Sequence, residues 1–262
     1  MCYNEVQLRS DRTLPKRSNA EFGFPESQSI TIPKQKDVSI TFMKEFFKKY
    51  KHAWILSYLI LYMAWFAWLE QTVTTNFHVV HMAVDDYIPF IEIFIIPYLL
   101  WFGYVAVAVV YFFFTNVPDY YKLCRFLFAG MTVFLVVSTI YPNGHYLRPS
   151  VFKNDNIFTY LVQCLYATDT STNLFPSIHV YNSIGVHLAI SRSEKLRQYK
   201  WVQIGSGVLM TSIILSTMFL KQHSVFDVVT AFAVATVMYS FVYGKASQPS
   251  RRKVFRGELQ KI

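Results

Sequence analysis

The sequence predicts an all-α membrane protein, a polytopic bundle of six transmembrane helices with both termini in the cytoplasm. Three observations predict it. Hydrophobic residues make up 53% of the 262-residue chain and aromatic residues 18%, more than a soluble domain of this length carries. Six apolar stretches recur along it, most of them close to the roughly 20 residues that a helical span needs, and a helix satisfies its own backbone in lipid. All but three of the 25 Lys and Arg precede the first stretch, follow the last, or fall between the second and third or the fourth and fifth. Only Arg148, Lys153 and Lys221 are left for the other side, and this bias places both chain ends in the cytoplasm.

Residues 1–36 carry scattered Pro, Ser and charge without periodicity and read as a mobile cytoplasmic tail. Residues 37–52 set Val38, Met43, Phe46, Phe47 and Tyr50 among Lys44, Lys48, Lys49 and Lys51, the pattern of an interfacial amphipathic helix. The membrane domain, 53–243, holds spans at Ala53–Leu69, Ile88–Phe114, Phe126–Tyr141, Ile178–Ile190, Trp201–Leu220 and Val225–Tyr243. Trp54 and Trp201, beside Lys51 and Lys200, suit interfacial anchors. Pro97 predicts a bend in the second span. The fourth stretch is short and holds Asn182, Ser183 and His187, but without it the basic residues fall on both sides. Residues 244–262 form a basic cytoplasmic tail, and the first apolar run starts only at Ala53, so insertion is expected through uncleaved spans.

Several function classes are excluded on this basis. The net charge of +9 flanks spans and accompanies no nucleic-acid motif, so its expected counter-charge is anionic lipid. Cys2, Cys124 and Cys164 fall in the tail, on the cytoplasmic side and in the outer loop, which leaves no disulfide or zinc framework. There is no internal repeat of the kind transporters carry.

The chemistry gathers near the predicted outer face. His223 and Asp227 are four residues apart, hence on one helix face, where the carboxylate can fix the imidazole tautomer and stabilise its cation. His-x3-Asp alone occurs by chance, and a buried His is most often a hydrogen-bonded core residue. Here, however, Asp227 stands inside an apolar segment, where an ionisable group costs about 2.5–3.5 kcal/mol and marks a functional site by default. Pro176, Ser177, Ile178 and His179 open the fourth stretch, and Arg148-Pro149 lies in the outer loop Pro142–Phe175. An arginine fork suits bidentate capture of phosphate. Glu92, one turn inside the second span, either lines the site or reaches for the interface. His187, two turns below His179, is expected to make an interhelical hydrogen bond.

In order, Tyr141-x6-Arg148-Pro149, Pro176-Ser177-Ile178-His179 and Ser216-Thr217-x5-His223-x3-Asp227 resemble the three motifs of the type 2 phosphatidic acid phosphatase superfamily, which is related to vanadium haloperoxidases and sphingolipid phosphotransferases. Those motifs are Lys-x6-Arg-Pro, Pro-Ser-Gly-His and Ser-Arg-x5-His-x3-Asp. The resemblance implies a metal-independent phosphatase of lipid phosphates or diphosphates without a cofactor, working through a phosphohistidine at the extracytoplasmic face of the cell membrane. His223 is the implied nucleophile and Asp227 its orienting carboxylate, while His179 protonates the departing lipid oxygen and then activates the acceptor. Arg148 and Ser177 hold the phosphoryl oxygens. Tyr141 and Thr217 stand where the motifs have Lys and Arg, so Lys221 and His145 are the candidates to restore positive charge. Ile178 replaces the usual Gly and gives a form similar to the inositol phosphorylceramide synthase branch. Transfer of a phospho-head group from a glycerophospholipid to a lipid alcohol is therefore the alternative, and a non-catalytic lipid-binding protein is the reading from another class.

Overall fold

The computed structural model describes residues 43–244. The expected 1–36 tail, the first part of the expected interfacial helix and nearly all of the 244–262 tail lie outside the described residues. Two compact units divide the chain, one ending at Lys49 and the other beginning at Tyr50. In the first, residues 43–49 are helical.

The described part of the second unit is mostly helical. Its helices are α1 (Tyr58–Thr72, led in by a 3-10 turn Lys51–Ser57), α2 (Ile95–Thr115, led in by Glu92–Phe94), α3 (Val117–Ile140), α4 (Ile157–Thr168), α5 (Ile178–Arg192), α6 (Lys200–Phe219) and α7 (Val225–Tyr243). The described strand is confined to β1 (His78–Val79) and β2 (Asn143–Gly144), a parallel pair in register His78 to Asn143. Among the described residues, five segments are long and apolar enough to cross a bilayer: Lys51–Thr72, Glu92–Thr115, Val117–Ile140, Lys200–Phe219 and Val225–Tyr243. Ile60, Val107, Val208 and Phe241 on these segments are exposed. An apolar exterior of this kind fits an integral membrane protein.

Local chemistry explains where the elements depart from expectation. α3 begins at Val117, well before Phe126, because Asn116 caps it by accepting the Asp119 N–H at 3.1 Å, with Pro118 in the first turn. Pro97 falls in the first turn of α2, where its missing N–H is not needed, so it opens the helix instead of bending a span. The loop expected over Pro142–Phe175 contains α4, whose N-cap Asn156 accepts from the Phe158 and Thr159 N–H groups.

α5 has 15 residues and is not among the five long apolar segments. It packs on α2, α3, α6 and α7, so Asn182 and Ser183 face protein rather than lipid and the helix needs less apolar surface than its neighbours. Its approach to α3 depends on two glycines. A Cβ on Gly130 would stand 2.0 Å from the Tyr181 ring, and one on Gly185 2.5 Å from the Phe126 ring. Tyr181 stacks on Phe126 and donates its hydroxyl to the Phe126 carbonyl at 2.8 Å.

Side-chain contacts sort the helix ends. At one end His52 meets the Phe113 carbonyl and the Tyr120 ring, Tyr243 approaches Phe126, and Arg192 bonds the Tyr239 hydroxyl. At the other end the end of α1, the start of α2, the end of α3, the starts of α5 and α7 and the end of α6 meet the 142–175 segment. There the Ile91 N–H bonds Phe219 O, Tyr166 OH bonds Leu220 O, and the Ser177 N–H bonds Asp227 O. Both His179 and His223 lie at this second end.

Candidate active site

The turn from α6 to α7 sets His223. After α6 ends, Lys221 takes a left-handed φ of 50°, and the N–H groups of Gln222 and His223 both return to the Thr217 carbonyl, at 2.9 and 3.0 Å. Ser224 then caps α7, and Asp227 returns Oδ2 to the Ser224 N–H at 2.9 Å, a reciprocal capping box. The same Oδ2 lies 3.3 Å from His223 Nδ1. An imidazole that donates Nδ1 to this oxygen presents Nε2 as its acceptor nitrogen. That Nε2 faces His179 Nδ1 at 3.5 Å. Asp227 and His223 are buried, Asp227 completely.

His179 occupies the first turn of α5, behind the N-cap Ser177, whose Oγ accepts the Val180 N–H at 3.4 Å. Two rings of α2 hold the imidazole, Tyr98 at 4.7 Å and Trp101 at 4.3 Å between centroids. The structure thus brings together His179, His223 and Asp227, with Ser177 buried at the root of the same helix end.

Arg148 reaches this site through Gln222. Its guanidinium donates to the Asp169 carbonyl at 2.8 Å, to the Thr170 carbonyl at 2.7 Å and to Gln222 Oε1, and it lies 4.4 Å above the Tyr166 ring. Its Nε has no partner among the described residues. Burial lowers its pKa from the ordinary arginine value, and the Asp169 carboxylate opposes that shift. Burial raises the Asp169 carboxyl, against the pull of Arg148, His223 and the Tyr98 hydroxyl.

The other sequence candidates are placed elsewhere or otherwise engaged. His145 is buried, accepts the Leu147 N–H on Nδ1 and donates Nε2 to the Gln222 carbonyl at 3.0 Å; burial pushes its pKa down to about 4. It is a neutral strut under the histidine turn and supplies no positive charge there. Lys221 turns to the Asp85 carbonyl at 2.7 Å, and burial lowers its pKa while Asp85 and Asp86 raise it. Thr217 is fully buried with its hydroxyl on the Ile214 carbonyl, so the backbone at this position serves the turn and the side chain does not face the histidines. Tyr141 stacks on His78 at 4.2 Å beside a separate cavity of about 460 Å³ lined by Val80, Phe175 and Phe226. Glu92 accepts from Asn154 and Asn156 and ties the long loop to the start of α2. His187 meets Ser206 across α5 and α6 at 3.0 Å, the interhelical bond expected of it.

Several residues of the site were not singled out from sequence. Gln222 is buried and engaged on every side: Oε1 with Arg148, Nε2 with Asp169 at 3.3 Å, its carbonyl with His145 and its N–H with Thr217. Asp85 accepts from Ser224 Oγ at 2.6 Å and the Val225 N–H at 2.8 Å, fixing the start of α7 from 140 residues away. Glu70, at the end of α1, accepts from Thr170 and Asn173 and anchors the segment that holds Arg148. The position of Gln222 next to His223 was the one usable signal. The α2–α6 seam contains two apolar cavities that share Leu100 and Leu209, one of about 380 Å³ near the start of α2 and one of about 500 Å³ that runs away from the histidine end to Phe112, Ile190 and Leu196.

No family model, curated protein or solved structure matches the chain.

Proposed function

We propose that this chain is an integral-membrane enzyme that removes or transfers the phosphoryl head of a lipid phosphate through a covalent phosphohistidine. The observation that carries the reading is the orientation of His223, with Nδ1 on a buried carboxylate and Nε2 directed at a second histidine 3.5 Å away. In the first step the Nε2 lone pair attacks phosphorus while the bond to the lipid oxygen breaks, and that oxygen takes a proton from His179. In the second step His179 removes a proton from the acceptor, whose oxygen attacks phosphorus and releases His223. Arg148 and the capped start of α5 at Ser177 provide donors for the phosphoryl oxygens, and developing charge in a buried site is where positioned donors count most. The apolar cavity of about 380 Å³ near the start of α2, toward the histidine end, supports a substrate with a hydrocarbon chain.

In this reading α5 crosses the bilayer as a sixth span, shielded from lipid by its neighbours. Both chain ends are cytoplasmic, and the histidine end opens at the extracytoplasmic face of the cell membrane. The support is the charge bias, with Arg148, Lys153 and Lys221 the three basic residues assigned to the histidine end.

Transfer of a phospho-head group to a lipid alcohol is the second reading, and one observation favours it. Arg148 is the cation held next to the histidine turn, while Asp169 and Asp227 bring two carboxylates and neither Lys221 nor His145 adds charge there. A phosphodiester monoanion needs less positive charge than a monoester dianion. Detergent-purified wild type and His223→Ala, given a panel of lipid phosphates, diphosphates and phosphodiesters with EDTA present, test both readings. Phosphate release that vanishes in the variant supports the phosphatase. A new phosphodiester lipid with diacylglycerol supports the transferase, and silence on every substrate overturns both in favour of lipid binding without turnover.

A further inference from the structure

Buried donors without an acceptor are rare in folded proteins, because each costs about 1–3 kcal/mol. Among the described residues, the buried polar side-chain atoms lacking a partner are mostly hydroxyls or acceptor oxygens, and hydroxyls can swing toward another group. Two are donors fixed in a planar group with no lone pair to offer: Nε of Arg148 and Nε1 of Trp101. Both sit at the candidate site. Arg148 holds Gln222, the neighbour of His223, and Trp101 lies with its ring 4.3 Å from that of His179. One unspent donor therefore belongs to the side chain that holds Gln222, and the other to the ring beside His179.

We propose that Trp101 is a substrate-binding residue whose indole N–H donates a hydrogen bond to a non-bridging oxygen of the phosphoryl group that His223 attacks. The proposal rests on the phosphoryl-transfer reading and adds a ligand outside the three motifs. An indole N–H is a neutral donor. In a site that already contains Asp169 and Asp227, it can stabilise phosphoryl charge where Tyr141 and Thr217 offer no cation. Trp101 is placed for this by α2, which sets it one turn beyond Tyr98 so that both rings face His179.

The test compares wild type, Trp101→Phe and the exposed control Trp68→Phe, reading thermal midpoint and kcat/KM on the lipid panel. Trp101→Phe keeps an aromatic ring and removes the N–H, so a merely structural role predicts near-normal kinetics. The expected result is a loss of about 10- to 100-fold in kcat/KM with Trp68→Phe unchanged; a Trp101→Phe rate within twofold of wild type overturns the proposal. A second measurement on wild-type protein stands apart from activity and from the variant's folding. Nitrogen-15 indole spectra, assigned through Trp→Phe variants at the five tryptophans, are recorded with and without inorganic phosphate. A downfield shift confined to the Trp101 signal is expected, and a stationary signal at high phosphate overturns the assignment. Should wild type turn over no lipid, the function reading fails, and the indole signal alone decides for or against Trp101.

Discussion

Asp227→Asn isolates the charge behind His223. One oxygen of Asp227, Oδ2, receives both the Ser224 N–H at 2.9 Å and His223 Nδ1 at 3.3 Å, while Oδ1 has no partner among the described residues. An asparagine in the same rotamer keeps a carbonyl oxygen at the Oδ2 position and turns its amide toward the empty side. The helix cap and the imidazole tautomer then survive, and only the negative charge is lost. When His223 attacks phosphorus its ring becomes cationic, with charge centres about 4 Å from the carboxylate. At an effective dielectric constant of about 20, that attraction is worth about 4 kcal/mol, or roughly a thousandfold in rate. The assay is the initial rate of phosphate or lipid-product formation in detergent micelles, paired with a thermal melt. The expected result is a rate about 1,000-fold lower with the melting temperature unchanged or raised, since a buried charge has been removed. A variant within tenfold of wild type would show that the carboxylate does not support charge on His223. Asp227→Ala, which also removes the cap, should lose a further ~1 kcal/mol of stability.

Gln222→Leu fills the same space but abandons Arg148 and Asp169. It should lower kcat about 10- to 100-fold by loosening the turn that aims His223, and a wild-type kcat would remove Gln222 from the positioning network. Gly130→Leu forces atoms into the Tyr181 ring and should lower stability by about 1–3 kcal/mol or prevent folding, read as a melting shift against Gly103→Ala, whose Cβ meets nothing within 4 Å. His145 supplies a pH signature. Its folded pKa of about 4 lies below the ordinary 6.5, so the unfolded chain binds the extra proton between those values. The contribution is complete above pH 6.5 and is lost as pH falls toward 4, up to about 3 kcal/mol. Asp169, with its carboxyl raised, acts in the opposite sense at the acid end, so the quantity to measure is the melting difference between wild type and His145→Gln from pH 7 to 4. A constant difference would contradict a neutral, buried His145.

What could be read from the sequence was local. His223 and Asp227 share a helix face because four residues make about one turn, and the structure places their side chains 3.3 Å apart. The spans at Trp201–Leu220 and Val225–Tyr243 were legible because long apolar runs have few alternatives, and the helices there begin and end within a residue of those limits. The polar first turns of α3 escaped a hydropathy reading, although Asn116-Val117-Pro118-Asp119 is a helix-start pattern. α4 was hidden in a loop for a similar reason, with Asn156 as its overlooked cap. Beyond the position of Gln222 next to His223, the supporting shell had no sequence signature. Asp85 meets Ser224 across 139 positions, Arg148 meets Gln222 across 74, and Trp101 looks like any lipid-facing aromatic until α5 is packed beside it. Charge was misjudged for the same reason: Lys221 and His145 are close to His223 in sequence or topology, but their nitrogens are committed to Asp85 and Gln222.

The central claim is a covalent phosphoryl group on His223 Nε2, and trapping it is the most direct test. Protein incubated with lipid carrying labelled phosphate, quenched in alkali and digested, should yield one acid-labile, alkali-stable label on the peptide containing His223. His179→Ala should retain or accumulate that label because acceptor activation is impaired, and His223→Ala should show none. Turnover without label on that peptide, or label that persists in His223→Ala, would contradict the account.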